Sequence, residues 1–268
     1  MTYRNARPES RSRRRRNYGS ATMIAAVVGL ALCAGAGAAR GGSARPAQPS
    51  AQPPNIVFIL TDDLAPNLIA YMPHVLAMER TGITFPNYIL SESLCCPSRS
   101  SMLTGRYPDD TQIWANTPPN GGFAKFHNLG EEQQTFATAL AAAGYRTALM
   151  GKYLNGYVPT TAVDGQTPYI PPGWSEWDVA GEGYSQYNYD LTQNTTVQHF
   201  GDSPGDYMNT VLDQRAQSFV SDSAAGNQPF LLEVATFSPH KPYTPAPADV
   251  GSFAGLSAPS PPARVTRT

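Results

Sequence analysis

The apolar residues of the chain form short continuous runs that alternate with segments of helical spacing. Residues 56–60, with the sequence IVFIL, are a continuous apolar run, which predicts a strand buried on both faces of a parallel sheet. Residues 146–150 and 229–237 predict two further strands, and each follows a segment with helical spacing, at 135–143 and 206–222. The pattern therefore predicts an α/β fold with a mostly parallel central sheet flanked by helices.

Other regions have weaker patterns. Residues 73–81 predict a helix, and residues 83–90 predict an extended segment whose Pro86 favours a sheet edge. Residues 107–134 are polar and predict a long loop of the kind that shapes substrate pockets. Residues 153–206 are rich in aromatic, proline and glycine residues, so we expect loops and short irregular pieces there.

Both ends of the chain differ in composition from its centre. Five arginines between positions 11 and 16 precede an apolar stretch, residues 21–32, and small residues that end at Ala39, which is the order of a secretory signal peptide. We therefore predict a signal peptide at 1–39, a flexible linker at 40–54, a folded region at 55–247 and a disordered Pro-, Ala- and Ser-rich tail at 248–268.

The predicted signal implies export, so we expect the protein to be secreted or held at the cell surface, with no stable membrane span. Two alternatives stay open. In the first, the apolar stretch stays as an uncleaved anchor, although it is short for a bilayer span. In the second, Cys33 carries a lipid, although Leu32 before it is larger than the residue that a lipobox usually has there. Twin-arginine export is a further alternative, with a weak match at residues 15–18.

The composition limits the partners and the redox chemistry. Of the 268 residues 15% are charged and the net charge is −1, so no overall field attracts nucleic acid and we expect no nucleic-acid partner. Beyond the predicted signal peptide the cysteines are Cys95 and Cys96, and adjacent cysteines rarely pair with each other. Two cysteines without a bridge in an exported protein indicate a chemical role for at least one of them.

Cys95 opens the most informative stretch, residues 95–106 with the sequence CCPSRSSMLTGR. Pro97 fits the first position of a helix, and Gly105 fits the position just after its end. Cys95 would then precede the helix, where free amides and the helix dipole favour a thiolate or a bound oxyanion, and Arg99 can point the same way. The stretch predicts a nucleophile beside an anion site; the alternative is a buried cysteine pair that caps a structural helix.

Polar residues follow three of the predicted strands. Asp62 and Asp63 come at the carboxyl end of the first, where open α/β sheets place their ligands, and carboxylate oxygens suit calcium or magnesium. Lys152 closes the second strand, and His240 beside Lys241 follows the third and is a candidate proton donor. The alternatives are an aspartate pair that caps a turn, a solvated lysine and a structural histidine.

Residues 95–106 also resemble the signature of the sulfatase family, Cys-x-Pro-Ser-Arg-x-x-x-Leu-Thr-Gly-Arg, and every fixed position is filled. The resemblance implies an alkaline-phosphatase-like α/β fold and hydrolysis of sulfate esters. It also implies that a formylglycine-generating enzyme oxidises Cys95 to formylglycine (3-oxoalanine). The hydrate of that group is then the nucleophile that attacks sulfur, and elimination regenerates the aldehyde.

The resemblance further implies a metal site and a sulfate site at the strand ends. The metal, Ca²⁺ with Mg²⁺ as an alternative, is expected on Asp62, Asp63 and the modified Cys95. The implied catalytic and substrate-binding residues are Cys95, Arg99, Lys152, His240 and Lys241. Among them, His240 is expected to protonate the leaving sugar hydroxyl.

The sequence GKYLN at 151–155, together with residues 169–177, resembles one subgroup, the N-acetylglucosamine-6-sulfatases and the extracellular heparan 6-O-endosulfatases. This implies a substrate of the N-acetylglucosamine 6-sulfate type, in a sulfated sugar or glycosaminoglycan. Many sulfatases have histidine two residues after the lysine, whereas this chain has Leu154 followed by Asn155. Which group deprotonates the formylglycine hydrate therefore stays open.

The resemblance covers roughly residues 54–247. Sulfatases also carry an Asp-Asn or Asp-His pair at a later strand end, another lysine and a smaller C-terminal domain. These features are missing here, so we expect the N-terminal part of a catalytic domain, incomplete at a C-terminus that fits a premature or frameshifted end. Two rival functions stay open: a phosphomonoester or phosphonate ester hydrolase of the same fold, and an inactive fragment that binds a sulfated glycan or does nothing.

Overall fold

A computed structural model describes residues 53–256 of the chain. The predicted signal peptide, most of the predicted linker and residues 257–268 lie outside the described residues. The strands are β1 (Ile56–Leu60), β2 (Arg146–Lys152), β3 (Glu176–Ala180), β4 (Tyr189–Gln193), β5 (Thr196–Phe200) and β6 (Phe230–Ala235). The α-helices are α1 (Pro73–Glu79), α2 (Cys95–Thr104), α3 (Pro108–Thr111), α4 (Phe123–Asn128), α5 (Phe136–Ala142) and α6 (Met208–Ala224). Short 3₁₀ helices cover Pro66–Tyr71, Glu131–Gln134, Pro204–Asp206 and Pro247–Asp249.

Within the described residues, the six strands form a single sheet in the order β1-β6-β2-β3-β4-β5. The pairs β1–β6, β6–β2 and β2–β3 are parallel, and β4 and β5 extend the sheet as antiparallel strands. The carboxyl ends of β1, β6, β2 and β3 therefore lie at the same edge of the sheet. In open α/β sheets this edge is where ligands bind.

Apolar side chains cover both faces of the sheet at its centre, and β2 shows this most clearly. Leu149 belongs to a cluster on one face that includes Cys96 and Trp177. Its neighbours in sequence, Ala148 and Met150, belong to the cluster on the other face, which includes the inward side of α6. Because successive side chains of a strand point to opposite faces, a continuous apolar run is what a strand covered on both sides requires. Within residues 53–256 no helix combines the length and the apolar character needed to cross a bilayer.

The elements with strong patterns are confirmed, but the burial predicted for both faces of residues 56–60 is wrong, because Val57 and Ile59 are 52% and 60% exposed on a strand at the end of the sheet order. The strands predicted at 56–60, 146–150 and 229–237 are β1, β2 and β6, and the helices predicted at 135–143 and 206–222 are α5 and α6. Their boundaries differ from the predicted ones by at most two residues, which is usual for fraying element ends.

Three predictions from weak patterns are wrong. Residues 83–90 are exposed and form no strand at a sheet edge, because no strand within the described residues pairs with them. Residues 107–134 contain α3 and α4 rather than one long loop. Residues 153–206 contain β3, β4 and β5.

The sequence pattern did not predict strand β3, because a buried carboxylate interrupts its apolar residues. Asp178 is 2% exposed, and Arg215 of α6 lies 3.2 Å from one of its carboxylate oxygens. Burial raises the pKa of Asp178 to about 6, although Arg215 opposes the rise. The compensating arginine comes from a distant helix, so the neighbouring sequence does not indicate it.

A second buried carboxyl, Glu233 in β6, makes stability depend on pH. Burial raises its pKa to about 7, against the opposing effect of Arg99, and its Oε2 has no hydrogen-bond partner among residues 53–256. The folded protein then holds a proton that the unfolded chain releases, so stability is greatest below the unfolded pKa and falls as the pH rises towards about 7.

We expect Glu233→Gln to remove that dependence. Between about pH 5 and about pH 8, the variant is expected to lose about 2 kcal/mol less of its free energy of unfolding than the wild type. Urea unfolding at the two pH values measures the difference. Since Asp178 titrates in both proteins, its contribution cancels, and equal losses would show that Glu233 stays ionised in the folded protein.

Candidate active site

Three strand ends bring polar residues together at the ligand-binding edge of the sheet. Asp62 follows β1, Lys152 is the last residue of β2, and His240 follows β6. The amide of Asp62 donates a hydrogen bond to the carbonyl of Ser238 at 3.0 Å, and this bond joins the chain after β1 to the chain after β6. The parallel order β1-β6-β2 thus explains why residues far apart in sequence become neighbours.

Asp62 lies at the centre of the charged cluster and is 4% exposed. Its Oδ2 is 2.5 Å from Nζ of Lys152, and its Oδ1 is 3.6 Å from Nη2 of Arg99. The thiol of Cys95 also lies 3.6 Å from Oδ1. Two cations and the candidate nucleophile therefore converge on one buried carboxylate.

Lys152 is 3% exposed, so the solvated-surface alternative for this lysine is wrong. Burial and the nearby Arg99 lower its pKa, but the hydrogen bond and charge of Asp62 outweigh them, and the net pKa is raised. Arg99 is also buried, and its Nη1 donates to the carbonyl oxygen of Lys152 at 3.0 Å. The two side chains are held in place as a pair of fixed positive charges.

Helix α2 positions Cys95 and Arg99, but it begins earlier than the sequence predicts. Cys95 is its first residue, and Pro97 is the third rather than the first. Proline is tolerated there because none of the first four amides of a helix has an intrahelical partner. Gly105 ends the helix in the left-handed conformation, as predicted, with φ of 68°. The side chain of Asn116 accepts a hydrogen bond from the amide of Cys96 at 2.8 Å, a capping contact that the sequence does not show.

Of the two alternatives predicted at the start of α2, a thiolate or a bound oxyanion, the surroundings of the unmodified Cys95 do not favour the thiolate. Burial is the largest influence and raises the pKa of the thiol, and Asp62 and Asp63 raise it further, while Lys152 and Arg99 lower it. The net pKa is above its ordinary value, because burial together with the two carboxylates outweighs the two cations. The unmodified side chain is therefore a neutral thiol rather than a nucleophilic anion.

Asp62, Asp63 and Cys95 form a group that can hold a metal ion. One ligand atom from each lies within 4.8 Å of the others. Asp63 has a positive φ of 63°, a conformation that aspartate tolerates better than most residues, and its side chain is half exposed. Two carboxylates that share a site repel each other, and hard oxygen donors prefer Ca²⁺ or Mg²⁺. The donor set therefore fits a divalent cation.

His240 faces the same cluster from the β6 side. Its Nδ1 donates to the carbonyl of Lys241 at 2.7 Å, and its Nε2 lies 3.5 Å from an oxygen of Asp63. This tautomer leaves Nε2 directed towards the carboxylates. The Lys241 side chain is exposed and makes no ion pair or hydrogen bond with other residues in the 53–256 range.

The structure adds aromatic residues to the site that sequence reasoning missed. The ring of Tyr184 lies 4.9 Å from Nζ of Lys152 and 4.7 Å from the ring of His240. Phe237 packs behind it, with ring centroids 5.0 Å apart. Tyr184 follows β3, whose end lies at the same edge of the sheet. The apolar pair Val179-Ala180 followed by Gly181 and Gly183 was the signal that could have indicated a strand end there.

Leu154 and Asn155, which follow Lys152, differ in how near they lie to the site. Leu154 is 3% exposed and belongs to the apolar core, so it takes no part in proton transfer. Asn155 lies nearer the site, with Nδ2 3.5 Å from the hydroxyl of Tyr184. Its Oδ1 is buried and has no hydrogen-bond partner within the described residues.

Gly151 is required by the close approach of two strands beside the site. It has a φ of 103°, and a Cβ atom there would lie 2.1 Å from the carbonyl oxygen of Ala235 in β6. We expect Gly151→Ala to lower the free energy of unfolding by about 3 kcal/mol or more, because both the clash and the strained φ must be relieved.

Gly144 provides the matched control for that substitution. Its φ is 88°, yet nothing lies within 4 Å of the Cβ position. Gly144→Ala should therefore cost only about 1–2 kcal/mol, through backbone strain alone. Urea unfolding of the two variants measures both values, and equal losses would contradict the proposed clash.

Comparison with known proteins identifies the family. A family model described as Sulfatase matches residues 54–260. The chain belongs to the sulfatase family. Over 215 residues it is 34% identical to N-acetylglucosamine-6-sulfatase of Homo sapiens, covering 77% of this chain and 38% of that protein. Over 200 residues it is 34% identical to an extracellular sulfatase, the SULF-1 homolog of Drosophila melanogaster, covering 72% of this chain and 17% of that protein.

A solved sulfatase structure confirms the predicted fold. The structure of BT4656 in complex with its substrate D-glucosamine-2-N,6-O-disulfate matches with a TM-score of 0.60 and 25% identity, over 78% of this chain and 39% of that chain. The alkaline-phosphatase-like α/β fold is thus shown, and the chain corresponds to part of a sulfatase domain. It spans less than half the length of each of these relatives.

Proposed function

We propose that this sulfatase-family protein hydrolyses sulfate esters. The observation that carries the proposal is the convergence of Arg99 and Lys152 beside Cys95 and a carboxylate pair. Sulfate is a tetrahedral oxyanion, and its transition state is stabilised by fixed positive charges in a water-poor site. A buried guanidinium and a buried ammonium of known orientation meet that requirement without reorganisation during the reaction.

The chain's own residues have separate tasks in this proposal. Arg99 and Lys152 bind and orient the sulfate oxygens, and Asp62 holds both cations in place until substrate enters. His240, when both ring nitrogens carry a proton, donates the Nε2 proton to the oxygen of the leaving alcohol, because its Nδ1 is already committed to the carbonyl of Lys241. When present, formylglycine at Cys95 supplies the nucleophile, and a divalent cation on Asp62 and Asp63 supplies additional positive charge.

The proposed substrate carries a 6-sulfate on an N-acetylglucosamine-type sugar. Two relatives support this class: N-acetylglucosamine-6-sulfatase by its name, and BT4656 by its bound D-glucosamine-2-N,6-O-disulfate. A sulfated sugar or glycosaminoglycan is therefore the proposed partner, with a formylglycine-generating enzyme acting on Cys95 beforehand. Export, with secretion or cell-surface retention, is proposed from the signal-like N-terminus and is in keeping with the extracellular relative.

The mass of the peptide that contains Cys95 tests the nucleophile in protein purified from its native host. Conversion of the thiol to an aldehyde is the expected result. An unmodified thiol throughout the sample would contradict an active formylglycine sulfatase. The same preparation, with and without added Ca²⁺, shows by elemental analysis whether a divalent cation binds.

Turnover of paired substrates tests the reaction. We expect faster hydrolysis of an aryl sulfate than of the matching aryl phosphate, and faster hydrolysis of N-acetylglucosamine 6-sulfate than of its 3-sulfate isomer. Faster cleavage of the phosphate would support the phosphomonoester alternative. An aggregated chain that contains formylglycine but hydrolyses neither would support the inactive-fragment alternative.

A further inference from the structure

The loop between β3 and β4 provides a residue of the site that the sulfatase signature does not include. Tyr184 lies in this loop, after the fourth parallel strand end at the ligand-binding edge. We propose that Tyr184 is a positioning residue whose ring holds the Lys152 ammonium and the His240 imidazole in the arrangement that sulfate ester cleavage needs. The inference rests on the proposed function and deepens it.

The first observation is the environment of the Lys152 ammonium. Asp62 lies on one side, with Oδ2 2.5 Å from Nζ, and the ring of Tyr184 lies with its centroid 4.9 Å from the same atom. Phe237 provides a second ring at 5.7 Å. A cation near the face of an aromatic ring is attracted by the ring's negative face, and the attraction strengthens when water is excluded. The rings therefore oppose the pull of Asp62 without competing for the ammonium's hydrogen bonds to a ligand.

The second observation is that the same ring contacts His240. The centroids of the Tyr184 and His240 rings are 4.7 Å apart, with an angle of 50° between the planes. Together with the hydrogen bond from Nδ1 to the Lys241 carbonyl, this contact restricts rotation of the imidazole. Tyr184 thus lies between the residue proposed to bind sulfate and the residue proposed to protonate the leaving group.

The third observation is that the loop holds Tyr184 rigidly. A Cβ atom on Gly183 would lie 2.3 Å from Cε of Met208, so the backbone packs directly on the core. Gln186 is 2% exposed, and its backbone and side-chain nitrogens both donate to the carbonyl of Gly183, at 3.1 and 3.3 Å. Residues that position catalytic groups work best when their own conformation is fixed by packing and hydrogen bonds.

The proposal assigns the effect to the ring rather than to the hydroxyl. The only polar contact recorded for the hydroxyl within the described residues is with Nδ2 of Asn155, at the long distance of 3.5 Å. Tyr184→Leu removes the ring and Tyr184→Phe keeps it. Tyr187→Leu is the matched control, because Tyr187 lies in the same loop but packs on Tyr207, with ring centroids 5.6 Å apart.

The test measures kcat and KM on an aryl sulfate for the whole formylglycine-containing chain and these three variants. We expect Tyr184→Leu to lower kcat by about tenfold or more, since small displacements of catalytic groups have large effects on rate. Tyr184→Phe should recover most of that loss, and Tyr187→Leu should stay within about twofold of the wild type. Equal losses in both leucine variants, or a loss in Tyr184→Phe as large as in Tyr184→Leu, would overturn the proposal.

Calorimetric binding of inorganic sulfate separates failure of this inference from failure of the proposed function. If the wild type turns over no sulfate ester, the proposed reaction fails, and Tyr184 is judged by sulfate affinity alone. A dissociation constant raised about fivefold or more in Tyr184→Leu, and close to wild type in Tyr184→Phe and Tyr187→Leu, supports the positioning role. An unchanged affinity in Tyr184→Leu, or no sulfate binding by the wild type, overturns it.

Discussion

Replacing Cys95 by alanine is expected to abolish sulfate ester hydrolysis, with a loss of about a thousandfold or more in kcat, because removal of a nucleophile leaves only binding and electrostatic stabilisation. Cys95 is the first residue of α2 and lies 3.6 Å from Asp62, within the group that can hold a cation. The substitution removes one sulfur atom from a half-buried position, so the fold should be retained. Initial rates on an aryl sulfate, with circular dichroism spectra of both proteins, measure the effect.

Cys96 provides the matched control for this prediction. It is fully buried, and backbone groups of Gly122 and Asn155 lie close to its sulfur. A serine hydroxyl in its place can use the same partners, so Cys96→Ser should retain activity within about threefold of wild type. If Cys95→Ala kept substantial activity, or if Cys96→Ser lost as much as Cys95→Ala, the proposed nucleophile would be wrong.

Asp62→Asn is expected to lower the free energy of unfolding by about 3–5 kcal/mol, because removing one partner of a buried ion pair leaves an uncompensated buried charge. Here the side chains of Asp62 and Lys152 are 5% and 4% exposed, and Arg99 is nearly as buried. The asparagine amide still accepts one hydrogen bond but carries no charge to balance the two cations. Urea unfolding in the presence of EDTA measures this loss without any contribution from bound metal.

Asp63→Asn is the control for Asp62→Asn, because Asp63 is the adjacent carboxylate and its side chain is exposed rather than buried. Its side chain is 56% exposed, and its recorded ionic contact is with His240 at 3.5 Å. Asp63→Asn should therefore change the free energy of unfolding by no more than about 0.5 kcal/mol. Both substitutions should weaken Ca²⁺ binding in calorimetry, because each removes a charged ligand. Equal stability losses would contradict the central role of Asp62, and unchanged Ca²⁺ affinity in Asp63→Asn would contradict the metal site.

The sequence alone predicted much of the sheet, because the central strands β2 and β6 are buried on both faces. The apolar runs of β2 and β6 follow from that burial, and the predicted helices α5 and α6 carry the apolar spacing that packs on the sheet. The run of β1 predicted the strand but not its exposure, since Val57 and Ile59 are more than half exposed. The same patterns also indicated the ligand-binding edge, since Asp62, Lys152 and His240 each come where a predicted strand ends. Parallel pairing then requires these ends to meet.

The signature at residues 95–106 determined the family, because its spacing is local. Four residues after Cys95, one helical turn, place Arg99 on the same side of α2, and a glycine in the left-handed conformation ends the helix. The position of Arg99 relative to Cys95 and the end of the helix both depend on residues that are close in sequence, so a local sequence pattern is enough to predict them.

Only the tertiary structure decided the electrostatics of the site. Whether Lys152 is solvated or buried, and whether Cys95 is a thiolate or a thiol, depends on the distances to Asp62 and on the exclusion of water. Strand β3 was missed because Arg215, the partner of its buried Asp178, comes from α6. Without β3, its strand end could not be placed, and Tyr184 could not be assigned to the site. Contacts between distant segments set the charge balance and the aromatic contacts here, whereas local spacing set the helix, the strands and the motif.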